Sequence, residues 1–506
     1  MLLSEILRKI QYKIHNNVDI SATEIRSISY DSRKVYDESM FFCLIGAASD
    51  GHDYALHAYN NGCRVFVCSK SVSLPDDSII IAVKDTRKTL ALASSAFFGY
   101  PSEKLTIVGI TGTKGKTTSA LLAHSIFNAN GLKCAYIGSN GITVGDETIE
   151  TINTTPESYE LHYHFSRFVK LNVKYVVMEV SSQAVKTDRI FGINFDVCVF
   201  LNLSPDHIGA GEHTDFEDYK NCKKRLFSDY GCKCVIYNAD DEYSAEMTGA
   251  AFNKPRLNAA SISFGIKNPA DISASDISLY REASVIGVEF DCFTSGGNDI
   301  HVKMRSPGDF SVYNGLAAMM ICRQFGVTYE DSARVLEETS VKGRFEIVDS
   351  LPYCTFVIDY AHNEVSLSRV LDVLRKYKPA RLICVFGSVG GRVEFRRVEL
   401  GMVASELADY SIITSDNPNY EDPMAIIRDI ISAFTDGSPY EYVKDRETAV
   451  RNAVNMAGEG DIVLFAGKGH ETYQLINGKK KPFSEREIIE SESAKLQELD
   501  ALRSPN

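Results

Sequence analysis

The chain has 506 residues, which exceeds the size of one ordinary domain and predicts several domains. Hydrophobic residues make up 44% and charged residues 24% of the chain, so collagen-like, coiled-coil and wholly disordered classes are excluded. The formal net charge of −13 disfavours non-specific nucleic-acid binding, which requires a basic surface. A local basic pocket for a small anionic substrate stays compatible with this charge.

The amino terminus and the apolar runs predict a cytoplasmic protein without a membrane span. Glu5, Arg8 and Lys9 interrupt the apolar core that a secretory signal would need. The longest apolar runs stay far below the roughly 18 residues that cross a bilayer. The 12 cysteines lie mostly inside apolar strands and lack the paired spacing of a zinc site, so we expect reduced, buried thiols.

Strand and helix patterns alternate along most of the chain, which predicts parallel α/β sheets. An apolar strand at 105–110 is followed by a Gly-rich loop and by a helix from 116 to 130, which Gly131 ends. The polar segment 261–299 predicts a meander at the edge of this sheet. The other predicted strands are 27–29, 40–43, 64–67, 79–83, 175–180, 196–201, 355–359, 381–386, 410–414 and 462–465.

These elements predict an α/β protein with three domains. Residues 1–102 form the first domain, and residues 101–103 serve as a linker. Residues 103–341 form a central P-loop ATPase-like domain with a parallel or mixed sheet, and residues 342–506 form a C-terminal Rossmann-like domain.

The strongest chemical signal is the loop between the strand at 105–110 and the helix that follows it. Its glycines allow backbone N–H groups to surround phosphates, Lys116 can reach the β- and γ-phosphates, and the Thr117 hydroxyl can bind Mg²⁺. A strict Walker A pattern would have glycine where Ile110 stands, so the general pattern fails although its physical basis is kept. The predicted phosphate-binding residues are Gly112, Thr113, Lys114, Gly115, Lys116, Thr117 and Thr118.

A carboxylate is predicted to lie near this loop. Glu179 ends the buried strand at 175–180, and open α/β sheets bind their ligands at the carboxyl ends of their strands. Mg²⁺ prefers one or two carboxylates together with phosphate oxygens. We therefore interpret Glu179 as a magnesium ligand; a buried salt bridge is the alternative.

The motif TGTKGKTT at 111–118 resembles the ATP loop of the Mur ligase family. NTTPE at 153–157, MEVSS at 178–182, NLSPDH at 202–207, DYAHN at 359–363, DNP at 416–418 and GKGHE at 467–471 follow in the family's order. Over essentially the whole chain the sequence is similar to the branch that adds the third stem-peptide amino acid. The resemblance implies that ATP phosphorylates the D-glutamate carboxylate of UDP-N-acetylmuramoyl-L-alanyl-D-glutamate, and that the amine of a diamino acid attacks the acyl phosphate.

The resemblance also implies roles for individual residues. Lys223 matches the family's carbamylated lysine, with Lys224 as the alternative register. The implied catalytic residues are Lys116, Lys223, His207 and Arg344, and the implied metal ligands are Thr117, Glu179, His207 and Lys223. Asn314, Arg344 and Asp359 are implied to bind ATP. The implied substrate-binding residues are Ser32, Asn153, Thr154, Thr155, Ser181, Arg189, Arg392, Asp416, Asn417, Asn419, Gly467 and Glu471.

Asn419 departs from the family pattern and bears on the amino-acid substrate. Relatives that add meso-diaminopimelate usually have arginine at this position, where a guanidinium can pair with the second carboxylate. A neutral amide cannot neutralise that carboxylate, and the runs NPNYEDP and SPDHIGAGEH resemble the lysine-adding branch. The sequence therefore predicts L-lysine as the substrate, with meso-diaminopimelate and ornithine as alternatives.

Three other functions are weighed against this one. A folylpolyglutamate synthase shares the ATP loop but would lack the first domain and the NTTP run. A P-loop GTPase would need an Asn-Lys-x-Asp motif, which the sequence lacks. A catalytically silent Mur-like binding protein is disfavoured by the intact Lys116, Thr117, Glu179, His207 and Lys223.

Overall fold

The computed structural model describes the chain except residues 16–19, 47–48, 210–211, 231, 253–258, 295–296, 298, 392–393 and 504–506. The chain folds into two compact units. The first comprises Met1–Asp271 and Ala317–Val327, and the second comprises Ile272–Leu316 and Thr328–Asn506. Among the helices of the described residues, none has the length and apolar character needed to cross a membrane.

The first unit opens with a small sheet in the order β1-β5-β4-β3-β2, parallel except for β1. Its strands are β1 (Lys13–Ile14), β2 (Ser27–Ser29), β3 (Ser39–Phe42), β4 (Val65–Cys68) and β5 (Ile79–Ala82). The helices here are α1 (Leu3–Ile6), α2 (Ala55–Asn60) and α3 (Thr86–Phe97). Successive side chains of β3 and β4 point to opposite faces of the sheet, and both faces are buried. This explains why both strands are mostly apolar along their length.

A larger sheet follows in the order β13-β12-β11-β6-β10-β7-β8-β9. Its strands are β6 (Thr106–Thr111), β7 (Cys134–Gly138), β8 (Gly141–Val144), β9 (Glu147–Ile149), β10 (Tyr175–Glu179), β11 (Val197–Phe200), β12 (Cys234–Asn238) and β13 (Ala260–Gly265). The helices are α4 (Lys116–Ala129), α5 (Ser158–Lys170), α6 (Ser182–Lys186), α7 (Phe216–Ser228) and α8 (Ser244–Phe252). Because β6, β10 and β11 are parallel neighbours, their carboxyl ends meet at one edge.

The second unit begins with an antiparallel meander of β14 (Ile272–Glu282), β15 (Val285–Thr294) and β16 (Asp299–Met304), as the polar segment predicts. Helices α9 (Asp309–Arg323) and α10 (Tyr329–Glu338) follow, and the last residues of α9 belong to the first unit. Within that first unit, Phe325 packs on Phe127 and Tyr175.

The remaining sheet has the order β17-β18-β22-β19-β20-β21 and is parallel except for β17. Its strands are β17 (Glu346–Val348), β18 (Thr355–Asp359), β19 (Leu382–Phe386), β20 (Tyr410–Thr414), β21 (Tyr440–Val443) and β22 (Ile462–Ala466), and a hairpin adds β23 (Tyr473–Ile476) and β24 (Lys479–Pro482). The helices are α11 (Glu364–Arg375), α12 (Phe395–Leu407), α13 (Pro423–Ile431), α14 (Arg446–Met456) and α15 (Glu485–Arg503).

The predicted class, α/β with three sheet-containing domains, is confirmed. The predicted strands of the sheets agree with the structure to within one or two residues at their ends, because most of them are runs of apolar residues buried on both sheet faces. Strands β1, β7, β8, β9, β12, β17 and β21 and the hairpin β23–β24 were not predicted. The second strand of the hairpin is the exposed, lysine-rich segment Lys479–Pro482. The domain boundaries 1–102, 103–341 and 342–506 stay predictions.

Candidate active site

The phosphate-loop residues form a tight turn at the carboxyl end of β6. Gly115 caps α4 with a φ of 86°, a left-handed conformation that favours glycine. The Lys116 ammonium donates to the carbonyl oxygens of Gly112 (2.8 Å) and Thr113 (3.1 Å). Asn202, which follows β11, accepts from the Thr113 N–H through its carbonyl and from the Lys114 N–H through its side chain. The neighbouring strand therefore fixes the loop's shape.

Thr117 and Glu179 lie together at this edge. The Thr117 hydroxyl donates to Glu179 Oε2 at 3.0 Å, and the Glu179 carboxylate is fully buried. Its other oxygen accepts from the Tyr136 hydroxyl (2.7 Å) and the Ser139 N–H (2.9 Å). A buried carboxylate with neutral donors, beside a loop hydroxyl, is a donor set that suits Mg²⁺ together with phosphate oxygens. The two residues therefore fit the predicted metal.

Lys223 points from α7 into the same region. Its side chain is buried, and Nζ donates to the Gly112 carbonyl at 2.9 Å and lies 4.7 Å from the centre of the Tyr219 ring. Burial lowers the pKa of Lys223 well below its usual value, and the charge of Lys116 lowers it further. Lys224, in contrast, is partly exposed and pairs with Glu246 at 3.4 Å. The loop is therefore approached by Lys223 and not by Lys224.

His207 lies on the turn that follows β11. Its backbone is left-handed, with a φ of 56°, and half of its side chain is exposed. Nδ1 lies 3.4 Å from Glu212 Oε1, and its ring is 6.1 Å from that of Tyr219. The structure thus places His207 beside the helix that carries Lys223, on the side of the loop open to solvent.

The residues predicted to contact the muramoyl peptide form a second cluster near Glu179. The Thr155 hydroxyl donates to the Glu179 carbonyl (2.8 Å) and accepts from the Ser181 N–H (3.1 Å). Arg189 donates to the Thr155 carbonyl at 3.0 Å and pairs with Glu157 at 2.9 Å. The Thr154 hydroxyl lies 3.0 Å from that of Ser139, and Asn153 is half-buried just before it.

Ser32 lies in the small amino-terminal sheet's turn after β2. It is buried, its hydroxyl is 3.0 Å from His57 Nδ1, and its carbonyl accepts from the Asn61 side chain at 2.9 Å. The adjacent Arg33 is exposed and forms a bidentate pair with Asp31. This turn therefore carries an exposed guanidinium next to a buried hydroxyl.

Another group of predicted residues surrounds a cavity of about 80 Å³ at the carboxyl ends of the strands in the second unit. Asp416 is almost fully buried there, and neither carboxylate oxygen has a hydrogen-bond partner among the described residues. The Lys468 ammonium lies 3.6 Å from Oδ1. A β-carbon on Gly467 would lie 2.7 Å from Asp416 Oδ2, so glycine is needed for this approach. Glu471 also lines the cavity.

Lys468 bonds to two of the residues that line this cavity, Asn417 and Glu471. Its fully buried ammonium donates to Asn417 Oδ1 (2.8 Å) and Glu471 Oε2 (2.5 Å). The Asn417 amide in turn donates to Glu471 Oε2 at 2.9 Å and accepts from the Leu475 N–H at 2.9 Å. Asn417 therefore positions Glu471 and the hairpin strand β23 instead of pointing both of its polar atoms into the cavity.

Arg396 supplies a positive charge on the same cavity. Burial lowers the pKa of His362, which also lines the cavity, and the guanidinium groups of Arg396 and Arg344 lower it further. The cavity thus combines the carboxylates of Asp416 and Glu471 with a cation. Such a mixed lining suits a ligand that carries both an ammonium and a carboxylate.

Asn419 is tied to the hairpin. Its φ is 52°, its N–H donates to the Leu475 carbonyl (2.9 Å), and its side-chain oxygen accepts from the Gly478 N–H (2.9 Å). Asparagine is among the residues that tolerate a left-handed backbone, which gives the residue a structural reason. Arg392, also predicted to bind substrate, lies outside the described residues.

The predicted ATP contacts of the second unit lie around β17 and β18. Both oxygens of Asp359 accept backbone N–H groups, from Phe345 and Ala361, each at 2.8 Å. Burial raises the pKa of Asp359, and the Arg344 charge acts against this rise. The Arg344 guanidinium lies 5.0 Å from the centre of the Tyr360 ring, and Asn314 is buried on α9.

Sequence reasoning missed several residues that shape these sites. Asn202 stood inside the quoted motif NLSPDH without an assigned role, and Tyr219 lies one helical turn before Lys223, a spacing that could have indicated a role. Lys468 and Arg396 look like ordinary charged residues in a sequence, because only the fold brings them to the cavity. Tyr136 lies in an apolar strand and gives no local signal that its hydroxyl reaches Glu179.

The strand–loop–helix geometry at β6 and α4, in a sheet whose central strands are parallel, defines a P-loop α/β protein. Three family descriptions match the chain: "Mur ligase family, catalytic domain" at residues 24–98, "Mur ligase middle domain" at 110–322, and "Mur ligase, glutamate ligase domain" at 343–469. The chain belongs to the Mur ligase family.

Known proteins are similar over nearly the whole length. The UDP-N-acetylmuramoyl-L-alanyl-D-glutamate--2,6-diaminopimelate ligase of Clostridium botulinum (strain ATCC 19397 / Type A) is 38% identical and covers 97% of this chain and 99% of its own. The ligase of the same name from Listeria innocua serovar 6a is 37% identical, covering 96% and 97%. A solved structure of a ligase with this name is 26% identical with a TM-score of 0.70, covering 98% and 99%.

Family membership confirms the coarser predictions. The protein is an ATP-dependent amide ligase of peptidoglycan precursor biosynthesis, and Mur ligases use ATP with Mg²⁺. The choice of L-lysine and the roles of the individual residues stay predictions.

Proposed function

We propose that this protein joins a diamino acid to the D-glutamate of UDP-N-acetylmuramoyl-L-alanyl-D-glutamate, with cleavage of ATP to ADP and phosphate, in the cytoplasm. The similarity to ligases of that name over 97% of the chain supports the reaction. The observation that carries the diamino-acid half is the buried Asp416 carboxylate, which lacks a hydrogen-bond partner among the described residues and lines a cavity with Glu471. A substrate ammonium would satisfy it.

The proposed chemistry has two steps. A carboxylate oxygen of D-glutamate attacks the γ-phosphorus of ATP and ADP leaves; the amine then attacks the acyl carbon and phosphate leaves. Lys116 would hold the β- and γ-phosphates and neutralise charge on the transferring group. Thr117, Glu179, His207 and Lys223 would hold Mg²⁺, which supplies further charge neutralisation when bound.

Lys223 is proposed to act as a carbamate. Reaction of its neutral amine with carbon dioxide forms an N–C bond and releases one proton, and the product is an anion. The low pKa of the buried Lys223 supports this step, because only the uncharged amine is nucleophilic.

The muramoyl-peptide end is proposed to bind across the first unit. Ser32 would contact the uridine diphosphate, and Asn153, Thr154, Thr155, Ser181 and Arg189 would contact the peptide. The cluster at Thr155, Ser181 and Arg189 supports this, since it combines hydroxyls with a guanidinium next to Glu179.

In the second unit, Asn314, Arg344 and Asp359 would contact ATP. Residues 1–102, 103–341 and 342–506 are the corresponding proposed domains.

For the amino acid we propose meso-diaminopimelate as the first candidate. The similar ligases are named for 2,6-diaminopimelate, and Arg396 lines the same cavity as Asp416 and Glu471. A cation from α12 would pair with the second carboxylate in place of the arginine that relatives have at position 419. Asn419 is then free of any substrate role, in agreement with its contacts to the hairpin.

L-lysine, the substrate predicted from the sequence, is the second candidate, and the neutral side chain at Asn419 favours it. One assay separates the two: purified protein with ATP, Mg²⁺ and the UDP-muramoyl-dipeptide is given meso-diaminopimelate, L-lysine or L-ornithine separately, and phosphate release and the tripeptide product are measured. Turnover with none of the three would contradict the proposed reaction.

A further inference from the structure

His213 is a fully buried histidine that none of the proposed roles uses. It lies between the turn that follows β11, helix α6 and helix α7. Nε2 is 2.9 Å from the Ser182 hydroxyl and Nδ1 is 3.2 Å from Asp218 Oδ2. Its ring meets that of Tyr219 edge to face, with centres 5.3 Å apart. Three specific contacts of one buried side chain therefore hold these elements together.

The partners determine the direction of each hydrogen bond. Asp218 accepts from the Lys186 ammonium (2.7 Å) and the Thr214 N–H (3.1 Å), and the pairing with Lys186 holds the pKa of Asp218 well below its usual range. An ionised carboxylate only accepts, so Nδ1 of His213 carries the proton. Nε2 of the neutral ring therefore accepts from the Ser182 hydroxyl.

Each contact of His213 leads to a different part of the proposed site. Ser182 directly follows Ser181, one of the residues proposed to contact the muramoyl peptide. The Tyr219 hydroxyl donates to Thr113 in the phosphate loop at 3.1 Å, and its ring lies under the Lys223 ammonium. The backbone N–H of His213 donates to the His207 carbonyl at 3.1 Å.

We propose that His213 is a positioning residue that holds Ser182, and with it the neighbouring peptide-binding Ser181, in register with the phosphate loop and Lys223. The first arm of His213 is the hydrogen bond of Nε2 with Ser182, which positions the residues proposed to bind the peptide. The second arm consists of the hydrogen bond of Nδ1 with Asp218 and the packing of the ring on Tyr219. It positions α7, and thereby Lys223 and Thr113. The inference rests on the proposed function for the meaning of the two sides, while the contacts themselves do not depend on it.

Amide substitutions separate the two arms. In His213→Asn the side-chain amide keeps a donor toward Asp218 and loses the acceptor for Ser182. In His213→Gln the longer amide keeps an acceptor toward Ser182 and loses the donor to Asp218. Ser182→Ala removes only the first arm. The Ser182→Ala/His213→Asn double variant tests whether the two residues act through the same contact.

We expect His213→Asn and Ser182→Ala each to raise KM for the UDP-muramoyl-dipeptide about threefold to tenfold, with KM for ATP unchanged, since one neutral hydrogen bond is lost. The double variant should be no worse than either single variant. His213→Gln should instead lower kcat and weaken binding of ADP with Mg²⁺, measured by titration calorimetry, by a similar factor. Additive effects in the double variant would contradict the shared contact.

His301→Gln is the matched control, because His301 also pairs with an aspartate (Asp291, 2.8 Å) but is exposed on β16 in the second unit. It should change none of these constants. If His213→Asn and His213→Gln lower the melting temperature but leave every constant unchanged, His213 is merely structural and the proposal is wrong. If the wild type ligates no diamino acid, the proposed function fails, while the ADP titrations still decide the role of His213.

Discussion

The side chains of Lys116 and Lys223 donate hydrogen bonds to one acceptor, the carbonyl oxygen of Gly112, at 2.8 and 2.9 Å. The two lysines belong to different helices and stand more than a hundred positions apart. Because both ammonium groups bond to the same carbonyl oxygen, they lie close together in space and repel each other. The buried Lys223 therefore loses its proton more readily. The phosphate loop is therefore contacted by its own Lys116 and by a buried lysine of α7 that loses its proton more readily.

Lys116→Ala should reduce ligase turnover by about a hundredfold or more, because one preorganised cation at the transferring phosphoryl group is lost. The melting temperature should change little, since the Lys116 ammonium bonds to carbonyl oxygens of its own loop. Phosphate release and thermal melting measure the two effects. Lys104→Ala, at an exposed position before β6, is the control. Wild-type turnover in a folded Lys116→Ala protein would mean that this loop is not catalytic.

Lys223→Ala should lose nearly all activity, and added formate or acetate should restore part of it by supplying the missing anion. Lys224→Ala is the matched control, because Lys224 is the next residue and pairs with Glu246 at 3.4 Å. Protein prepared with ¹³C-bicarbonate should give one carbamate signal by NMR that disappears in Lys223→Ala and persists in Lys224→Ala. The opposite pattern would assign the carbamate to Lys224.

Arg396→Met should reduce kcat/KM for meso-diaminopimelate about tenfold to a hundredfold, because a charge-assisted hydrogen bond to a carboxylate is lost. Turnover with L-lysine, if present, should fall less. The comparison variant is Asn419→Arg, which restores the arginine of related ligases but disturbs the turn at Gly478. A wild type that prefers L-lysine, with Arg396→Met acting equally on both amino acids, would favour the second candidate.

Gly467→Ala should raise KM for the diamino acid at least about tenfold, because the added β-carbon would lie 2.7 Å from Asp416 Oδ2 and push the carboxylate away. Gly437→Ala separates this clash from backbone strain: Gly437 has a φ of 96°, close to the 108° of Gly467, but nothing lies within 4 Å of its added carbon. Equal kinetic effects of both substitutions would show that strain, and not the contact with Asp416, is responsible.

In the Glu492→Gln variant, the stability of the fold should fall less between neutral and acid pH than it does in the wild type. Hydrogen bonds from Asn455, Lys495 and Arg451 lower the pKa of Glu492 from 4.5 to about 2. A depressed carboxyl pKa stabilises the fold above pH 4.5, and this contribution is lost as the pH falls toward 2. The melting temperature of the variant should therefore lie below that of the wild type at pH 7 and approach it near pH 2. A constant difference would contradict this linkage.

The sequence by itself determined the class of the protein and much of the first unit's site. The strand before the loop, the glycines and the helix start are local features, so Lys116, Thr117 and the family could be identified without a structure. Glu179 was placed correctly near the loop because parallel neighbouring strands end at the same edge. Lys223 was assigned by its resemblance to the family's carbamylated lysine, and the structure shows that it is buried on α7.

Only the tertiary structure decided the surroundings of the amino-acid cavity and of His213. Asn419 looks like a substrate selector in the sequence, yet its amide is bonded to a hairpin about sixty residues later. Arg396 comes from helix α12 and Lys468 from the segment after β22, and His213 meets Ser182 across about thirty residues. Helix and strand periodicity report which face of a residue's own element is buried. They do not report which distant side chain packs against it, because that depends on how the elements assemble.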